Sequence, residues 1–70
     1  MTQNQILTIL KKYVYKKLPI RMFKIKNIKN IINSNDCFTV TGDIFNTHKE
    51  GWYVASFDKN WKLLTFEFQI

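Results

Sequence analysis

A chain of 70 residues with 46% hydrophobic and 16% aromatic side chains is too apolar for the disordered class. It is also too short for two cores, because folding at this length removes only about 60% of the unfolded surface. Eleven Lys and Arg against five Asp and Glu give a net charge of +6, so one small basic domain over residues 1–70, with a bias toward acidic partners, is expected.

The first element is a helix at about residues 3–17. Thr2 followed three residues later by Gln5 is a capping-box pattern, in which each side chain satisfies an orphan backbone donor of the first turn. Ile6, Leu7, Ile9, Leu10, Tyr13, Val14 and Leu18 then recur at helical spacing and cover about half the circumference. Lys11, Lys12, Lys16 and Tyr15 fall on the other side, and Lys17 sits over the apolar arc. Pro19 ends the helix, since it restricts the residue before it and cannot extend the ladder.

Beyond Pro19 the period becomes two. Phe23 and Ile25 alternate with Lys24 and Lys26, then Phe38, Val40 and Ile44 with Thr39, Thr41 and Asp43, and finally Leu64, Phe66, Phe68 and Ile70 with Thr65, Glu67 and Gln69. Half-buried strands have this pattern. Turn-forming clusters at 33–36, 46–51 and 58–60 separate them, and Asn60 is the expected left-handed residue of the last hairpin. The strands are placed at about 20–32, 37–45, 52–57 and 61–69. Ile25, Ile28 and Ile31 are spaced by three, with Ile32 next to the last, a spacing that fits a short helix about as well as a strand; a one-residue bulge near Asn27 reconciles it with a bent strand, the reading kept. The expected fold class is α+β, with one N-terminal amphipathic helix packed on one face of a four-stranded antiparallel meander sheet.

Catalysis lacks parts. His48 is the only imidazole and Cys37 the only thiol, so no metal-binding cluster or disulfide is expected. A Cys37–His48 nucleophile pair is disfavoured, because Cys37 opens a core strand and His48 belongs to a polar loop. The five carboxylates are scattered, and two glycines, Gly42 and Gly51, cannot build a phosphate-cradling loop. No enzyme activity, cofactor or small-molecule substrate is expected. The longest apolar run, Trp52 to Ala55, is far below the roughly 20 residues of a spanning helix, and the opening residues lack a secretory pattern. A cytoplasmic protein with no membrane partner is the expectation.

Binding fits better. Residues 1–30 carry eight cations and no acid, whereas residues 31–70 carry three cations and five acids, a division of +8 and −2 that hints at contact with nucleic acid or a membrane surface, the latter disfavoured because the core needs the apolar side of the helix. Ile, Asn and Lys supply 26 of the 70 residues, and their A/T-rich codons account for part of the lysine number but not for this asymmetry. The leading expectation is a non-catalytic accessory protein that binds DNA or RNA mainly through backbone phosphates, with Lys11, Lys12, Lys16, Arg21, Lys24 and Lys26 as the contacts. Competing structural roles exist, since Lys16 and Lys17 complement the helix dipole and Lys24 and Lys26 discourage edge pairing. Surplus apolar residues form a second feature. If the helix covers one sheet face, Phe45, Trp52, Val54, Trp61 and Leu63 lie on the other, and with Tyr15 the aromatics among them define a contact face, where Tyr15, Trp52 or Trp61 would stack on the bases of a bound strand in the leading reading. That face supports the alternative, an adaptor or inhibitor of the kind carried by phages and mobile elements, docking on a larger nucleic-acid enzyme or on itself as a homodimer.

Overall fold

The computed structural model describes residues 2–17 and 23–70; Arg21 and the expected beginning of the first strand lie outside them. The described residues form α1 (Gln3–Lys17), β1 (Lys24–Ile25), β2 (Asn30–Asn33), β3 (Phe38–Phe45), β4 (Glu50–Phe57) and β5 (Leu63–Gln69). Every strand pairing is antiparallel. Strand order is β1-β3-β4-β5, and β2 also pairs with β3, so β1 and β2 share one neighbour.

Local chemistry explains the helix. The Thr2 N–H donates to Gln5 Oε1 at 2.8 Å and the Gln5 N–H donates to Thr2 Oγ1 at 3.2 Å, which closes the capping box in both directions. Ile6, Leu10 and Val14 follow at a spacing of four and bury one stripe of α1 against the sheet. Opposite them lie Ile25, Val40, Ile44, Tyr53, Ala55 and Phe57, all buried. Each large apolar side chain so removed from water contributes roughly 1.5–3 kcal/mol. This is the α+β arrangement expected, with one helix on a curled antiparallel sheet.

The first strand differs from expectation because it is interrupted. Ile25 pairs with Ile44 and Asn30 with Thr41, so five steps on one strand face three on the other. That leaves two extra residues where one bulge residue was expected, and the inward and outward parity survives the break. Asn27 organises it. Its Oδ1 accepts from the Asp43 N–H at 3.0 Å, its Nδ2 donates to Asp43 Oδ2 at 3.1 Å, and its carbonyl accepts from the Tyr53 hydroxyl at 2.8 Å. Gly42 makes room for this arrangement. A Cβ there would meet the Asn27 carbonyl oxygen and stand 2.7 Å from Tyr53 Oη.

Two further corrections concern β4 and β5. Asp58 and Lys62 close a loop of three residues, in which the Trp61 N–H donates to Asp58 O at 3.0 Å and Trp61 has φ 63°. A type I turn followed by a left-handed residue is a standard three-residue hairpin loop, and the left-handed position falls on Trp61 rather than Asn60. Asp58 holds the loop by accepting from the backbone N–H groups of Asn60 and Lys62 through Oδ1. Next, Ser56 pairs with Thr65 but Phe57 with Leu63, which places a bulge at the start of β5. The extra residue switches the parity, so Leu63 packs on the core and Leu64 is 55% exposed, the reverse of the expected order.

Candidate nucleic-acid interface

Helical geometry sets the first part of the site. Lys11 and Lys12 precede Tyr15 by four and three positions, so they flank it on the side of α1 away from its buried stripe, and Lys16, four positions after Lys12, lies on that side too. All three lysines are exposed and Tyr15 is 52% exposed. Lys17, expected over the apolar arc, is exposed as well. Lys16 and Lys17 occupy the last helical turn, where a positive charge also opposes the negative end of the helix dipole.

The second part comes from β1. Lys24 pairs across the sheet with Phe45, and the two converge with Lys11, Val14 and Tyr15 of α1, together with Phe23 and Ile25, on a cleft of about 110 Å³. Tyr15 also lines a wider, shallower depression with Lys12, Tyr13, Lys16 and Lys17. Four of the expected cationic contacts, Lys11, Lys12, Lys16 and Lys24, thus adjoin one continuous region whose centre is Tyr15.

Ion pairing separates these lysines from the rest of the basic half. Lys26 lies 2.8 Å from Glu50 and Lys29 lies 3.3 Å from Asp43; among the described residues no acid reaches Lys11, Lys12, Lys16, Lys17 or Lys24 in this way. The Glu50 hydrogen bond holds the Lys26 ammonium above its usual pKa. Asp43 is held below the usual carboxylate range, first by the Asn27 hydrogen bond and then by Lys29 and Lys26 against an opposing desolvation. Lys26 is therefore already engaged with an acid from the second half of the chain, although an exposed pair of this kind is weak and exchangeable.

The expected aromatic face does not form as one surface. Tyr15 and Phe45 meet in the cleft. Trp52 is 48% exposed on the sheet face opposite the helix, where it pairs with Asp43 and Gln69. Trp61 goes elsewhere, stacking on Phe38 with ring centroids 4.3 Å apart and touching Phe57 at 5.4 Å. The left-handed turn residue and the β5 bulge redirect it. Phe23 belongs to the cleft but was legible in the sequence only as a strand residue; its ring also packs on Phe68 at 5.0 Å.

Other candidate chemistry is not assembled. Cys37 precedes β3 and His48 follows it, which puts them at opposite ends of an eight-residue strand. Among the described residues no three His, Cys, Asp or Glu side chains group as metal ligands, and no helix is long and apolar enough to cross a membrane. No protein family model, curated protein or solved structure matches the chain.

Proposed function

We propose that the protein is a non-catalytic nucleic-acid-binding protein that grips backbone phosphates with Lys11, Lys12, Lys16 and Lys24. The observation that carries this reading is the set of exposed lysines on α1 and β1 around Tyr15 without acidic partners, whereas Lys26 and Lys29, in the break between β1 and β2, are matched by Glu50 and Asp43. A phosphate backbone matches a row of point charges on a helix, and counterion release makes the affinity fall steeply with salt. Four phosphate contacts correspond to a log–log slope of about −4 on duplex DNA and about −3 on a single strand. Fluorescence anisotropy of labelled single-stranded and duplex oligonucleotides over a salt series measures this directly. Absence of binding to both at low salt would overturn the reading.

A second reading rests on the sheet face that α1 leaves uncovered. Trp52 at 48% and Ile32 at 53% exposure stand there, and an exposed Trp is a common anchor of protein interfaces. In that reading the partner is a larger protein or a second copy of the chain. Trp52→Ala then abolishes the complex while Lys12→Ala only slows association. The opposite pattern of losses rejects it, and sedimentation of the pure protein tests the self-association variant.

A further inference from the structure

We propose that the cleft between α1, β1 and the end of β3 receives one unstacked base of a single-stranded nucleic acid, with a neighbouring phosphate held between Lys11 and Lys24. The proposal rests on the nucleic-acid reading above and adds a strand preference to it. The cleft has buried Val14 and Ile25 behind it, the rings of Tyr15, Phe23 and Phe45 around it, and the exposed side chains of Lys11 and Lys24 beside it.

Size restricts the occupant. A closed cavity of about 150 Å³ holds a benzene ring, whereas pockets for whole small-molecule ligands run to roughly 300–1,000 Å³. An open cleft of about 110 Å³ therefore takes one flat ring edge or face and leaves the remainder of its ligand outside. That suits a segment of polymer better than a free metabolite.

Chemistry restricts it further. Three aromatic rings favour a planar, polarisable group, and stacking of this kind is tolerant of base identity. Two lysines without acid partners add attraction for an anion a short distance from that ring. A nucleotide within a strand supplies both at once. Asp43 and Glu50 are taken up by Lys29 and Lys26, Asp36 and Asp58 sit in turns adjoining the other end of β3, and Glu67 of β5 pairs with Val54 of β4, so no described acid lines the cleft. A duplex cannot use the cleft without extruding a base, which costs a few kcal/mol. Single strands gain from it and duplexes do not.

The test uses the full chain, a labelled oligothymidylate and a duplex of equal length, with Tyr15→Ala, Phe45→Leu and Lys12→Gln. Tyr15 is exposed, so its truncation leaves the fold intact, which circular dichroism checks; it is the deciding variant if Phe45→Leu does not fold. Tyr15→Ala and Phe45→Leu are expected to weaken single-strand binding about tenfold and duplex binding much less. Lys12→Gln, outside the cleft, weakens both. If the wild type binds but the two ring variants lose single-strand and duplex affinity equally, or lose neither, the base pocket is wrong and the phosphate reading stands. If the wild type binds neither oligonucleotide, both are wrong. Displacement of the oligothymidylate by a phosphotyrosine peptide more readily than by unlabelled oligothymidylate would instead assign the cleft to a peptide and overturn the proposal.

Discussion

Trp61 carries an unusual backbone for its type. At φ 63° a side chain costs roughly 1–2 kcal/mol that glycine escapes, and the stack on Phe38 offsets that cost. Lys59 adds to the same cluster by lying over the Phe38 ring with Nζ 4.2 Å from its centroid. The expected outcome inverts the usual order of substitutions: both Trp61→Ala and Trp61→Gly lower stability in urea denaturation, but Trp61→Gly is the milder by about 1 kcal/mol. Equal or larger damage from Gly would mean the turn does not hold this conformation. Tyr53 gives a pH signature. Burial, reinforced by the charge of Asp43, pushes its hydroxyl up to about 12 from 10.0, so the fold favours the neutral phenol. That contribution is complete below the unfolded value and is lost as pH rises through the folded one. Alkaline unfolding between about pH 10 and 12 should accompany the rise of Tyr53 tyrosinate absorbance, and Tyr53→Phe should remove that component of the transition while giving up the bond to the Asn27 carbonyl, at a cost of about 1–3 kcal/mol.

Elements were legible where one local rule decides them. The capping pair Thr2 and Gln5, the four-residue recurrence of Ile6, Leu10 and Val14, and the alternation of Val40 and Ile44 all act through neighbours in sequence, and α1 and β3 lie where those rules place them. Elements depart from such rules where tertiary chemistry intervenes. The break between β1 and β2 depends on Asn27 reaching Asp43 across the sheet, and nothing in the order of residues 25–32 states that partner. Likewise the bulge at Leu63 and Leu64 is set by how the Asp58 loop delivers the chain into β5. In the interface, Lys11, Lys12, Lys16 and Tyr15 are readable from helical spacing and Phe45 from the surplus of apolar strand residues, whereas Phe23 joins them only through folding. Two outcomes belong to this scale. Gly42→Ala should destabilise the protein by well over the roughly 1 kcal/mol of an average substitution, because Asn27 and Tyr53 both stand in its way; an unchanged melting temperature would contradict this account of the break. Leu10→Ala, fully buried in α1, should cost about 2–5 kcal/mol, a large share of what a domain of this size has.

At the scale of the whole molecule, the sequence asymmetry of +8 and −2 becomes a spatial one only in part. Folding brings Glu50 and Asp43 onto Lys26 and Lys29, so these two are compensated, and the described lysines that no acid reaches are Lys11, Lys12, Lys16, Lys17 and Lys24, together with Lys49, Lys59 and Lys62 in the loops before β4 and β5. Salt dependence follows: Lys12→Ala should flatten the slope of log affinity against log salt by about 1, and Lys29→Ala should change it much less, both read from the anisotropy salt series. Equal effects would show that net charge alone governs binding. The most direct test is to map amide chemical-shift changes as oligothymidylate is titrated into the labelled protein. The account predicts that they cluster on residues 11–16, 23–25 and 45. Changes confined to Trp52, Val54 and Ile32, on the face opposite the helix, would contradict it.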